Sequence, residues 1–233
     1  MKHTHSRMTQ VPGDGFFIEA CRGAQSCPMQ AVSAPELLEN VQQVLAEAKI
    51  GERLRSMYGD APLFHHMLKL SISYCPNGCS RPQIADIGLL GAASPVLTSS
   101  DCIQCASCHS SCREGALSID TEGTVTNIDM ERCVRCGACI SACPSGAIQP
   151  GATGFRLQLG GKLGRHPRLA LEVPFIFAAE SIPDLLEHVI STIYSSLRPG
   201  ERFADCVDRL GIDTISDGLK KFSCEIPSQS RKK

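Results

Sequence analysis

Apolar positions recur at two different spacings along the chain, and together they set out the expected elements. Gly15-Phe16-Phe17-Ile18-Glu19-Ala20 and Leu68-Lys69-Leu70-Ser71-Ile72-Ser73-Tyr74 both read as strands. Between them Leu37, Leu38, Val41, Val44, Leu45 and Ala48 return at helical spacing, with Ser33 as expected N-cap and Pro35 in the first turn. Strands are expected again around Phe155–Leu159 and Leu169–Phe177. Ser181 with Asp184 then reads as a capping box that opens a helix. Its buried stripe is Ile182, Leu185, Leu186, Val189, Ile190, Ile193 and Leu197. A last helix carries Phe203, Cys206, Val207 and Leu210 and closes at Gly211. Strands and helices in this mixed order suit an α+β layer better than a bundle.

Gly91-Ala92-Ala93-Ser94-Pro95 and Gln149-Pro150-Gly151-Ala152 read as linkers. They set off a module at 95–150, inserted into a discontinuous domain made of 1–94 and 151–233. A chain of 233 residues, 42% of them hydrophobic, can fill one large core or two modest ones. The net charge of −1 argues against a generally basic nucleic-acid surface, and Arg231-Lys232-Lys233 reads as a solvated tail. Trp is absent, which weakens any base-stacking role. No apolar run approaches the roughly 20 residues of a membrane span. The start, Met1-Lys2-His3-Thr4-His5, lacks the apolar stretch of a secretory signal. Neither a nucleic acid nor a membrane is expected as a partner.

Cysteine changes the picture, with 14 in the chain. In a protein of this size without an export signal, so many thiols point to metal rather than to disulfides. Cys102-x2-Cys105-x2-Cys108-x3-Cys112 recurs 31 residues later as Cys133-x2-Cys136-x2-Cys139-x3-Cys143-Pro144, an internal duplication. Zinc usually takes two well-separated CxxC pairs. A third cysteine in the same tight loop suits the corners of an iron–sulfur cubane instead. In this bacterial-type ferredoxin spacing the fourth cysteine ligates the other cluster. Cys102, Cys105, Cys108 and Cys143 are therefore assigned to one 4Fe–4S cluster, and Cys133, Cys136, Cys139 and Cys112 to the other. Gly115-Ala116-Leu117 and Gly146-Ala147-Ile148 read as turns into short strands, and Arg113 stands where the pattern expects Pro. His109, among the ligands, is placed to tune a potential by hydrogen bonding.

Cys21-x5-Cys27 and Cys75-Pro76-Asn77-Gly78-Cys79 lie outside the insert, at the ends of expected strands. On spacing alone they could close a third cubane. Read as whole segments, 18–27, 71–81 and Ile84-Ala85-Asp86-Ile87-Gly88-Leu89 resemble the sulfite and nitrite reductases that carry sirohaem. Gly160-Gly161-Lys162-Leu163-Gly164-Arg165-His166-Pro167 resembles a later motif of that family, and Glu201-Arg202-Phe203 a feature of its last helix. The likeness runs from about Gly15 to Gly218, and the insert is similar to that of the dissimilatory sulfite reductase subunits.

The resemblance implies a sulfite-reductase-type α+β domain with an inserted two-cluster ferredoxin domain. It implies a cubane on Cys21, Cys27, Cys75 and Cys79, with Cys79 also the axial ligand of a sirohaem. Electrons from a low-potential donor would pass through the insert to that haem, where sulfite or nitrite is reduced. Sirohaem carries eight carboxylates, so Arg22, Arg81, Lys162, Arg165 and Arg168 are its expected contacts, together with Asn77. Gly160-Gly161 is read as room for a flat ligand. Only 20 residues precede Cys21, and no Lys-x-Lys pair occurs in the chain. The basic substrate pocket is therefore expected from a second copy or a partner subunit. The competing reading is a three-cluster electron-transfer protein without sirohaem that serves a separate reductase. Low-potential clusters point to a reducing cytoplasm. Cys206 reads as a buried structural thiol; Cys224, His65 and His66 receive no role.

Overall fold

A computed structural model describes residues 8–23 and 27–224. The expected basic tail, the first five residues and part of the Cys21–Cys27 segment lie outside the described residues. Six strands form the main sheet in the order β1-β2-β3-β4-β7-β8: β1 Met8–Gly13, β2 Phe16–Cys21, β3 Leu68–Ser73, β4 Ile87–Leu97, β7 Ile148–Leu159 and β8 Leu171–Phe177. The β2/β3 and β3/β4 pairs are parallel; the others are antiparallel. A parallel pair needs a long crossover, and α1 (Leu37–Glu47) with α2 (Ile50–Tyr58) supplies it between β2 and β3. After β8 come α5 (Ile182–Ser196), α6 (Phe203–Leu210) and α7 (Ile212–Leu219). Between β4 and β7 lie α3 (Ser107–Ser111), a hairpin of β5 (Leu117–Ile119) and β6 (Val125–Ile128), and α4 (Ala138–Ser141). The mixed α+β architecture matches the expectation.

Helical spacing explains the main core. Leu37, Val41 and Leu45 on α1 pack against Ile182, Leu185, Leu186, Val189 and Ile193 on α5, over Ile18, Leu70, Leu89 and Leu157 of the sheet. The insert has a separate small core of Cys108, Leu117, Ile128, Cys139 and Ile148.

Several local expectations are corrected. Helix α1 starts at Leu37, because Pro35 and Glu36 form a turn first, and Ser33 caps nothing. No capping box forms at α5, since a 3-10 turn over Ala179–Ser181 folds the Ser181 hydroxyl back to donate to the Ala178 carbonyl at 2.9 Å. Gly211, at φ 81, closes α6, but α7 follows it, so α6 is not the last helix. Leu169 is 67% exposed and lies outside β8.

Both expected linkers are strand. Gly91–Pro95 lies within β4 and 149–152 within β7, paired with each other as far as Leu97 and Ile148. Small residues there let neighbouring chains approach, and Pro95 faces Pro150 at a bulge where no ladder donor is needed. The insert therefore grows from the tip of a continuous antiparallel ribbon. For the same reason Gly146-Ala147-Ile148 opens the long strand β7 rather than a short one.

Candidate metal centres

The duplication in the insert extends to backbone dihedrals. Gln104 and Arg135 have φ 58 and 59, Ala106 and Gly137 have φ 51 and 76, and Gly115 and Gly146 have φ 58 and 73. Each pair is 31 residues apart. For non-glycine residues such left-handed positions cost about 1 kcal/mol each, and they persist where the surroundings require them. Gln104 with Ala106 and Arg135 with Gly137 wind the chain around the cysteines before α3 and α4 begin, and Gly115 and Gly146 turn it after they end. Backbone N–H groups then turn toward sulfur: Ala116 donates to Cys112 Sγ at 3.3 Å and Ile148 to Cys143 Sγ at 3.4 Å. His109 is exposed, and its backbone N–H, not its ring, serves Cys108.

The thiols influence one another in two groups that cross between the loops. Burial raises the Cys108 thiol, and Cys143 and Cys102 raise it further. Burial pushes Cys139 up to about 12, with Cys133, Cys136 and Cys112 adding to the effect. Cys133, also raised by burial, has Cys136 and Cys112 as its thiol neighbours. Hydrogen bonds from Ser107 lower Cys105, while Cys143 opposes them. Four thiolates brought together repel, and a cationic iron core is the kind of charge that relieves them.

At one corner of the main sheet the ends of β2 and β3 bring four more cysteines together. Cys21 ends β2; it is buried, and its Sγ accepts from the N–H groups of Gly23 and Tyr74, both at 3.4 Å. A methyl at Gly23 would stand 2.5 Å from Tyr74 Cβ, so only glycine lets this turn close. Beyond β3 a hydroxyl network fixes the Cys75–Cys79 turn. Ser71 donates to the Ser80 carbonyl at 2.6 Å, Ser80 donates to the Ile72 carbonyl at 2.7 Å, and the hydroxyls of Ser73 and Ser80 are 2.8 Å apart. Asn77 donates from Nδ2 to Cys79 Sγ at 3.0 Å. Burial raises Cys75, and the charges of Cys21, Cys79 and Cys27 raise it further. Cys79 is exposed. Among the described residues no three His, Cys, Asp or Glu side chains close into a single-ion site. A cubane puts each thiolate on a different iron, which needs a wider donor set than one ion does.

The expected cations divide into two sets. Arg22, beside Cys21, and Arg165 are exposed and make no ion pair among the described residues. Arg81, at φ 59 just beyond Cys79, pairs with Glu19 at 3.1 Å. Lys162 and Arg168 are tied inward, since their backbones pair at 2.9 Å in both directions to close the loop around Arg165. Lys162 bonds Asp205, and Arg168 bonds Asp208 at 2.6 Å and the carbonyls of Gly160 and Ala204. Gly160 is packed against the Val207 and Arg168 side chains, and Gly161 against the protein's own backbone. A methyl on Gly161 would fall 2.6 Å from the Gln83 carbonyl oxygen and 2.7 Å from that of Ala85. Cys206 is fully buried, as a structural thiol should be.

The sequence reading missed Arg156, Gln158 and Glu172, a polar group on β7 and β8. It also passed over Arg135. Aligning the two loops would have exposed that residue, because it replaces Gln104 at a matched position.

A family model described as the nitrite and sulphite reductase 4Fe-4S domain matches residues 18–224. The coenzyme F420-dependent sulfite reductase of Methanocaldococcus jannaschii is 32% identical over 211 residues, 88% of this chain and 31% of that protein. One of the subunits of the anaerobic sulfite reductase of Salmonella typhimurium is 29% identical over 103 residues, 44% of this chain and 26% of that protein. The chain thus spans a third or less of these relatives. The crystal structure of dissimilatory sulfite reductase I superposes with a TM-score of 0.59 at 17% identity, over 96% of this chain and 56% of that one, a likeness of fold.

Proposed function

The chain belongs to the nitrite and sulphite reductase 4Fe-4S domain family, a sulfite-reductase-like iron–sulfur protein, and from that premise we propose that it is the electron-delivering and haem-ligating part of a sulfite or nitrite reductase. Residues 1–94 and 151–233 form its discontinuous sirohaem and 4Fe–4S domain, and 95–150 its two-cluster ferredoxin domain. Cys102, Cys105, Cys108 and Cys143 hold one cubane, Cys133, Cys136, Cys139 and Cys112 a second, and Cys21, Cys27, Cys75 and Cys79 a third. The matched left-handed positions that wind both cysteine loops, with Cys108, Cys112, Cys139 and Cys143 packed in one small core, are the observation that carries this reading.

When bound, the clusters supply one-electron relay and the sirohaem supplies the iron at which sulfite or nitrite is reduced. The chain's own residues do the positioning. Ser73 and Ser80 lock the turn that presents Cys79, and Asn77 donates to the Cys79 sulfur that would help hold the cubane and the haem. Arg22 and Arg165 are exposed to meet carboxylates, Arg81 is exposed but pairs with Glu19, and Lys162 and Arg168 hold the Arg165 loop in place. One α+β half offers a haem only one wall, so a second copy or a partner subunit completes the pocket. Free thiols in this number suit a reducing cytoplasm; no helix among the described residues is long and apolar enough to cross a membrane.

Anaerobic purification tests the reading. About 12 iron atoms per chain and an extractable tetrapyrrole with a sirohaem spectrum are expected. A plain iron–sulfur spectrum would instead leave an electron carrier for a separate reductase, and iron near eight would remove the Cys75 centre.

A further inference from the structure

The two loops of the insert share a backbone but not a charge. Gln104 uses its amide to donate to Glu122 at 3.2 Å and Thr124 at 3.3 Å, within the insert. Its counterpart Arg135 lies against the main sheet, where the Ala93 N–H donates to its carbonyl at 2.8 Å and Ala93 bridges to Cys136. Arg156 on β7 shares this region and donates to Glu172 at 3.2 Å, while Gln158 donates to the other carboxylate oxygen at 3.1 Å. The Nε–H groups of Arg135 and Arg156 are buried without an acceptor among the described residues. Arg156 is the guanidinium paired with Glu172, and Arg135 has no ion-pair partner among the described residues, which leaves net positive charge beside the Cys133 loop.

Strand β4 measures the way from each loop to the Cys75 turn. A methyl at Gly91 would stand 2.4 Å from the Tyr74 carbonyl and 3.0 Å from the Cys75 nitrogen, so the backbones touch there. Ala93, which holds the Cys133 loop, is two residues on, about 7 Å at ordinary strand rise. The stretch behind Cys143 is fastened at Thr98, whose N–H and hydroxyl donate to Ala147 at 3.0 Å and Gly146 at 2.8 Å. Thr98 is seven residues from Gly91, roughly 23 Å.

We propose that the Cys133 loop is the inner electron station of the insert, joined to the Cys75 turn by the Gly91–Ala93 backbone, and that Arg135 and Arg156 hold its potential above that of the Cys102 loop. The inference rests on the reading that both loops hold cubanes. A one-electron reductant enters at the outer station. At each handover the donor cubane is oxidised by one electron and the acceptor reduced by one, and no atom or proton moves. A neighbouring cation favours the more negative, reduced state. Electron tunnelling falls steeply with distance, so the nearer loop is the natural exit.

The full chain, loaded anaerobically and titrated with dithionite under paramagnetic resonance, tests this. Arg156→Gln should lower the midpoint of one insert cluster enough to change its reduced-to-oxidised ratio about tenfold at fixed potential, about 59 mV for one electron. Glu172→Gln should raise the same midpoint, Arg156→Lys should restore it, and the other insert cluster should not respond. Cys136→Ala should delete the responsive signal, and Cys105→Ala should leave it. Unmoved midpoints, or equal movement of both, at full iron content would overturn the proposal. Wild-type insert iron short of about eight atoms would overturn the underlying reading instead. If Arg156→Gln fails to fold, Glu172→Gln alone decides by the same criterion.

Discussion

In the insert, every cysteine from Cys102 to Cys143 lies in one of two short segments made of a tight loop and the helix that follows it, and the dihedrals that shape the first loop recur in the second. At the sheet corner, Cys21 and Cys27 follow one strand and Cys75 and Cys79 the next, with the whole α1–α2 crossover between them. The insert site is local and needs little beyond its own loops and a small core. The corner site exists only when β2 lies beside β3, and it inherits whatever disturbs the sheet. A local site is legible as spacing; a site built by strand pairing becomes legible only once the pairing is known.

The sharpest way to break the comparison is to remove single ligands. Cys112→Ala should produce the same spectroscopic loss as Cys133→Ala, and Cys143→Ala the same as Cys102→Ala, each removing about four iron atoms. Cys75→Ala should remove a similar amount and leave both insert clusters in place. If Cys112 and Cys102 instead behaved as one group, the crossed arrangement would fail.

Next in size is an acid behind the corner. Asp86 is buried, and its pKa is pushed up to about 6 by that burial, only partly offset by the hydrogen bond it accepts from the Lys69 N–H. A carboxyl raised in the folded state disfavours folding once ionised. Its contribution is therefore least harmful below the ordinary value of 3.8 and worsens as pH rises through about 6. Roughly 3 kcal/mol of stability should be regained on acidification from pH 7 toward 4. Asp86→Asn should flatten that part of the stability profile, as read by denaturant melts across pH, without changing the visible absorbance of the insert clusters.

Legibility can be judged residue by residue. The stripes on α1 and α5 were readable because helical spacing is dictated by burial alone. The Gly91–Pro95 and 149–152 segments were misread because glycine, proline and alanine signal turns locally, whereas here the two pair as strands and close approach to Tyr74 and Cys75 selects Gly91. Lys162 and Arg168 were named for their charge, but their carboxylate partners, Asp205 and Asp208, sit some 40 residues away on α6 and no spacing rule couples them.

A smaller effect separates packing from ligand space. Gly161→Ala must displace two backbone carbonyls, so a loss of about 1–3 kcal/mol is expected in thermal melts of the cluster-free chain. An unchanged melt with a loss of haem would return Gly161 to the ligand. The mildest test is Asn77→Ala, which deletes one donor to Cys79 at the surface and should cost about 1 kcal/mol or less. Its visible consequence should be confined to the corner centre.

The ribbon that carries the insert also bears on the order of folding. Leu97 pairs with Ile148, yet residues 98–147 separate them along the chain. Zipping β4 to β7 across an unstructured loop of that length costs about 3 kcal/mol more chain entropy than closing a two-residue hairpin. Once the insert has folded, Thr98 is already bonded to Gly146 and Ala147, and the ribbon starts from a closed end. The insert precedes most of β7 along the chain, so its closure brings Leu97 beside Ile148 and lowers the cost of pairing the centre of the sheet. Under the proposed two-cubane reading of the insert, iron supply therefore bears on how fast the whole domain forms.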